Sequence, residues 1–148
     1  SYWRLSTGAD YSLTGGTYGF FEYHFNGAGA ASSSGYVDLQ DQVAYRDGAV
    51  YLLGRHYLVC GGSHRIDPLT ELAGQVLLNA SDGSLLAGPE IRRSLSDNTD
   101  ISAGAFWGFG PGPKDGREPV AGNAYTVIWR SEFGVYPDVS YLSLRVYF

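Results

Sequence analysis

The fold is decided by the C-terminal stretch YLSLRVYF, residues Tyr141–Phe148, in which apolar and other side chains alternate. Successive side chains of a β-strand point to opposite faces of its sheet, so this stretch predicts a strand with one purely apolar face. We expect that face to pack on the core of the domain. Its residues are Leu142, Leu144, Val146 and Phe148.

Other segments with strand character precede this one. Thr17–Phe25 is dense in aromatic residues, and Tyr125–Arg130 combines branched with aromatic residues, a composition typical of strands. Asp47-Gly48 favours a tight turn. The remaining predicted strands are short, and they are Gly35–Leu39, Gln42–Tyr45, Val50–Leu53, Tyr57–Cys60 and Ala105–Phe109. About nine or ten such strands, separated by turn residues, are typical of a sandwich.

Residues 68–78 fit two structures. The apolar spacing from Leu69 to Val76 matches one face of a helix, with Pro68 at its first position. The alternative is a short helical turn at 68–73 followed by a hairpin with Asp82-Gly83 in its turn. The hairpin also explains the apolar run after that turn, but the spacing leaves both structures open.

We therefore predict one all-β domain over residues 1–148, an antiparallel two-sheet sandwich in jelly-roll order. A closed barrel is the alternative, and at most one short helix is expected, near residues 68–73. The hydrophobic content of 44% and charged content of 17% exclude a disordered chain. The chain begins at once with strand-like residues, so either a leader has been removed or only an initiator methionine is missing.

Charge and hydropathy exclude several partners. With a net charge of −5 and Lys114 as its one lysine, the chain has no concentrated basic face, so no nucleic acid is expected. No run approaches the roughly 18 apolar residues of a membrane-spanning helix, and we expect no membrane insertion.

Catalytic and metal signals are weak. The chain has no nucleophile elbow, phosphate loop or dinucleotide fingerprint, so we predict no catalytic residue and no cofactor. Between His56 and His64, Cys60 fits a small buried hydrophobe better than a metal ligand or a nucleophile. Clustered oxygens make one minor candidate for a calcium site, formed by Asp97, Asn98 and Asp100.

The stretch AFWGFGPGPKDGRE, residues 105–118, combines aromatic residues with a loop rich in glycine, proline and charged residues. An aromatic plate beside fixed donors and acceptors suits a sugar ring, although the tryptophan alone is equally explained as a core residue. A weaker patch of the same kind precedes the last strand. The predicted ligand-binding residues are Trp107, Phe109, Lys114, Asp115, Arg117, Tyr136 and Asp138.

The two ends of the chain carry a family resemblance. Tyr2–Leu5 and Leu142–Val146 resemble the end strands of discoidin-like, galactose-binding-like jelly-roll modules. Similar modules occur on phage tails and virion spikes. The resemblance implies glycan recognition through loops at one end of a sandwich.

These observations favour a non-catalytic carbohydrate-binding or adhesin module, virion-associated or extracellular, such as a spike or fibre component of a phage-like particle or cell surface. Its partner would be a glycan or cell-surface polysaccharide, with homo-oligomerisation supplying avidity. The predicted subunit contacts are Tyr141, Arg145 and Tyr147. The alternatives are a purely structural subunit of a capsid, tail or filament and, third, a small glycan hydrolase or lyase.

Overall fold

The computed structural model describes residues 2–39, 41–120 and 124–148, and for residues 115–120 and 124–127 it describes the backbone only. Most of the chain forms long strands. In chain order they are β1 (Arg4–Leu13), β2 (Thr17–Asn26), β3 (His56–Asp67), β4 (Thr70–Asn79), β5 (Ser84–Ser96), β6 (Thr99–Phe109), β7 (Lys114–Val120), β8 (Ala124–Ile128) and β9 (Val139–Val146).

Seven of these strands form one antiparallel sheet in the order β1-β2-β3-β4-β5-β6-β9, and β7 and β8 form a separate hairpin. The predicted β-rich class is confirmed. The two-sheet sandwich is not confirmed, because seven of the nine described strands pair in one sheet and β7 and β8 pair only with each other.

The hairpin around Asp82-Gly83 is confirmed and is longer than predicted, since β4 and β5 pair from Asn79 opposite Ser84 to Thr70 opposite Arg93. Gly83 has a φ of 77°, and the Asp82 side chain accepts a hydrogen bond from the Ser84 N–H at 2.7 Å. The prediction of a short helix near residues 68–73 is wrong, because strand β4 begins at Thr70. Its spacing is equally compatible with a strand that has apolar residues on both faces.

Two further predictions about local structure are wrong. Gly35–Leu39 and Gln42–Tyr45, predicted as strands, fall instead in a 3₁₀ turn (Ser33–Gly35) and two short helices, α1 (Tyr36–Leu39) and α2 (Val43–Arg46), and Val50–Leu53 has no regular secondary structure. Tyr36 and Leu39 are both buried, as one helical turn permits for residues three apart. Strand β3 does not stop at Gly61-Gly62 but continues to Asp67, because the missing side chain of Gly62 lets the β2 backbone approach closely.

The buried residues lie mainly at one end of the sheet, around Tyr36, Tyr57 and Phe133. The C-terminal strand does not contribute the core face expected of it. Leu142 is 74% exposed and Leu144 is 62% exposed, because no described segment covers this side of β9. The alternation was interpreted correctly as a strand, but its apolar face is bare.

Candidate functional site

The sheet has two faces of different chemistry. Residues directly opposite each other in antiparallel strands lie on the same face, so the pairing register assigns every side chain. One face, called the apolar face below, is mostly hydrophobic across all seven strands, although His56, His64 and a few threonine and serine residues also lie on it. Its apolar and aromatic residues are Leu5, Ala9, Tyr11, Leu13, Phe21, Tyr23, Phe25, Leu58, Cys60, Leu72, Val76, Leu78, Leu85, Ala87, Pro89, Ile91, Ile101, Ala103, Ala105, Trp107, Phe109, Leu142, Leu144 and Val146.

The charged residues of the sheet lie almost entirely on the opposite face, called the polar face below. The exceptions are Asp67 and Arg93, which both lie opposite Thr70 at one end of the sheet. The charged residues of the polar face are Arg4, Asp10, Glu22, Arg65, Glu71, Glu90, Arg92, Asp100 and Arg145. The two faces of the sheet therefore differ in their content of charged residues.

The apolar face is large. Seven strands about 4.8 Å apart, with about ten residues at about 3.3 Å each, span an area of about 1,000 Å². Exposed apolar patches on soluble monomers rarely exceed about 300–600 Å². At about 25 cal/mol per Å², covering this face is worth about 25 kcal/mol, which exceeds the margin of about 5–15 kcal/mol by which folded domains are stable. An apolar face of this size is a candidate interaction surface.

Three segments outside the sheet pack on the polar face instead. Residues 27–39, 41–55 and 131–136, called the cover segments below, lie over its end. The Tyr36 hydroxyl accepts a hydrogen bond from Asn79 Nδ2 at 2.8 Å, and the Phe133 N–H donates to Ser84 Oγ at 3.2 Å. Both partners belong to the polar face. The cover segments thus bury polar side chains, and none of the described side chains outside the sheet is placed over the apolar face.

A buried carboxyl group joins the cover segments to the sheet. Glu132 is 1% exposed and accepts hydrogen bonds from the Tyr57 hydroxyl at 2.5 Å, from Asn79 Nδ2 at 2.7 Å and from the Leu53 N–H at 3.0 Å. Burial raises the pKa of Glu132, and the nearby Asp82 adds to this, although the three hydrogen bonds act in the opposite direction. Through these three hydrogen bonds, the Glu132 side chain connects its own segment to those of Leu53, Tyr57 and Asn79.

Asp82 and Glu132 are two carboxyl groups in one hydrogen-bond network, since both accept from Asn79 Nδ2. The Asp82 carboxylate accepts hydrogen bonds from the Tyr36 hydroxyl at 2.6 Å and from the Glu132 N–H at 2.7 Å. Glu132 and the neighbouring Asn79 are fully buried, so a glycan has no access to them. The pair gives no support to a glycan hydrolase.

The predicted ligand-binding residues do not converge. Trp107 and Phe109 lie on the apolar face of β6, whereas the Tyr136 ring packs on Phe133 in a cover segment, with ring centroids 5.6 Å apart. The sheet lies between the two groups. Lys114 and Asp138 are exposed, and Lys114 begins strand β7 rather than lying in the predicted loop. The side chains of Asp115 and Arg117 lie outside the described residues.

The other predicted sites are placed as follows. Tyr141 and Arg145 lie on the polar face of the edge strand β9, and Tyr147 is exposed just after it; their role as subunit contacts stays a prediction. Cys60 is exposed, so its predicted burial is wrong, because it belongs to the bare apolar face. 

The calcium candidates do not form one cluster. Asp97 and Asn98 lie in the β5–β6 turn, and Asp100 lies opposite Arg145 on the polar face. In the described part of the chain, no three His, Cys, Asp or Glu side chains are grouped so as to hold a metal ion.

A shallow trough of about 360 Å³ crosses the middle of the polar face. Its floor consists of backbone and small residues of the central strands, including Ser63, Ala73 and Gly88, and its walls are aromatic. The Tyr18 and Phe20 rings are 6.2 Å apart at one side, and the Phe106 and Tyr141 rings are 6.1 Å apart at the other. Sequence reasoning missed this site because its residues come from six different strands; the only signal was the recurrence of glycine and aromatic residues in neighbouring strands.

No protein family, curated protein or solved structure matches the chain. None of the helices in the described part is long and apolar enough to cross a membrane. The difference between the two faces of the sheet is therefore the main evidence on function.

Proposed function

We propose that this chain is part of a membrane-spanning antiparallel sheet, with its apolar face against lipid hydrocarbon and its polar face towards a water-filled interior. The observation that supports this most directly is the inverted distribution of residues. In water, the cover segments would be expected to cover the apolar face. They lie instead on the polar face, where they bury Asn79, Ser84 and Glu132.

The dimensions fit a bilayer. The seven strands have 8 to 13 residues, whereas strands of water-soluble proteins average about five or six. A strand needs about 9–11 residues to cross a hydrocarbon core about 30 Å thick. The charged residues of the apolar face, Asp67 and Arg93, lie at its end, where a strand would leave the hydrocarbon.

The edges of the sheet impose one further condition. Among the described strands, none pairs with the outer side of β1 or of β9. Unpaired backbone groups cost several kcal/mol each in hydrocarbon, so each edge has to be paired by further strands, from more chain or from other copies. The function is that of a wall around a polar compartment.

The lack of long apolar runs in the sequence led to the expectation of no membrane insertion. That criterion detects helices, since only a helix buries every side chain of a continuous stretch in lipid. A strand exposes every second side chain to lipid, and its apolar residues are interrupted by polar ones, as in Leu142–Val146.

A water-soluble alternative is the predicted sandwich, formed by two copies stacked through their apolar faces. It would also cover the hydrophobic surface and would make the chain a structural subunit. The strand lengths favour the membrane, and the two arrangements differ in a simple test.

The test compares two arginine substitutions on neighbouring residues of β4. Val76 lies on the apolar face and Gln75 on the polar face. The chain is folded into phosphatidylcholine vesicles, and insertion is followed by flotation with the vesicles and by denaturant unfolding. Val76→Arg is expected to lower the free energy of unfolding in vesicles by about 2–4 kcal/mol, and Gln75→Arg to change it by less than about 0.5 kcal/mol.

Two results would contradict the proposal. One is a wild-type chain that stays in the aqueous fraction as a folded dimer. The other is an equal loss of stability in both variants, because the two faces would then have the same surroundings.

A further inference from the structure

The trough on the polar face is an accessible site with aromatic walls and a floor of small residues. We propose that it binds a neutral saccharide. This inference rests on the proposed function, in which the polar face is turned towards a water-filled interior and the trough is open to solutes. It moves the predicted glycan site from the Trp107 loop to the middle of the sheet.

The size of the trough fits this ligand. Its volume of about 360 Å³ lies at the lower end of the range for small-molecule sites and accommodates one or two sugar rings. Aromatic residues on two sides present flat faces on which the C–H face of a sugar packs. Tyr18 is 38% exposed and Phe106 is 41% exposed, so both rings are available to a ligand.

The charges in the trough favour a neutral ligand over a cation. Glu90 is the carboxylate among the lining residues, and it is already paired. It accepts a hydrogen bond from Arg92 Nη2 at 2.9 Å and another from the Tyr141 hydroxyl at 2.5 Å. The net charge of this group is therefore zero, while its free hydrogen-bonding positions and the Gln75 amide suit sugar hydroxyls.

Part of the aromatic lining also has a structural role. A side chain added at Gly61 would collide with the Phe20 ring, one at Gly88 would press on Phe106, and one at Gly104 would collide with Tyr141. These three rings therefore cover glycine backbone in a neighbouring strand. Tyr18 covers no glycine with its ring, so it is the wall residue whose removal tests binding with the least effect on the sheet.

The experiment measures saccharide binding by isothermal titration calorimetry on the full chain, folded in a polyoxyethylene detergent that carries neither sugar nor choline. The probes are maltohexaose, cellohexaose and chitohexaose, with choline as a cationic comparison. At least one hexasaccharide is expected to bind. Tyr18→Ala should weaken this binding about three- to tenfold, and Tyr11→Ala, which removes an exposed tyrosine from the apolar face, should leave it unchanged.

The inference is overturned if no hexasaccharide binds, if choline alone binds, or if both tyrosine variants lose binding equally while far-UV circular dichroism shows a folded sheet. This outcome is separate from the membrane test. Saccharide binding without vesicle insertion would contradict the proposed function and leave the site standing. Vesicle insertion without saccharide binding would support the proposed function and overturn the saccharide site.

Discussion

At the scale of single residues, Glu132 is the group on which the cover segments depend. Its carboxylate is fully buried and accepts hydrogen bonds from Leu53, Tyr57 and Asn79. Because burial raises its pKa, the folded state holds the proton of Glu132 more tightly than the unfolded state does. Its contribution to stability is then greatest below the ordinary glutamate pKa of about 4.3 and is lost as the pH rises through the raised value.

This gives a pH-dependent prediction. The free energy of unfolding in detergent micelles, measured with urea from about pH 4 to about pH 8, is expected to contain a decline that Glu132→Gln removes. Glu22→Gln, on the exposed polar surface of β2, is the matched control and should keep the decline. The same pH profile in wild type and Glu132→Gln would show that this carboxyl group does not titrate as described.

At the scale of elements, the strands depend on glycines that let neighbours approach. A Cβ added at Gly61 would lie 2.7 Å from the Gly74 carbonyl oxygen and 2.8 Å from the Phe20 ring. A Cβ added at Gly74 would meet backbone atoms only at 3.6 Å, an ordinary contact distance.

Gly61→Ala is therefore expected to destabilise the sheet by about 1–3 kcal/mol. Gly74→Ala, in the adjacent strand, should change the free energy of unfolding by less than about 1 kcal/mol. Denaturant unfolding in micelles checks both variants. Equal effects would mean that the close packing of β3 against β2 and β4 does not limit the sheet.

The elements also show how far the sequence could be interpreted. Alternation and composition correctly predicted strands at Thr17–Phe25 and over most of Tyr141–Phe148, and the Asp82-Gly83 pair correctly indicated the hairpin that the apolar spacing had left open, since these are local properties. The same alternation could not reveal what covers Leu142, because a bare apolar face and a core face have the same sequence pattern. The trough was also unpredictable, because only the register of six strands places Tyr18 and Tyr141 at its two sides.

At the scale of the whole molecule, the proposed function requires that the apolar face contacts lipid hydrocarbon. Trp107 lies on that face in β6, opposite Ala87, and is 42% exposed. It is a native reporter once the other two tryptophans are replaced, in the variant Trp3→Phe, Trp129→Phe. A matched control carries Trp107→Phe and Leu86→Trp as well, which moves the single tryptophan to the polar face of the neighbouring strand β5.

The decisive measurement is the quenching of this single tryptophan in vesicles, by lipids brominated in the middle of their acyl chains and by aqueous acrylamide. With Trp107, we expect strong quenching by the brominated lipids and little by acrylamide, and with the tryptophan at position 86 the reverse. If acrylamide quenches Trp107 freely in the presence of vesicles and brominated lipids do not, the apolar face does not contact hydrocarbon and the account is contradicted.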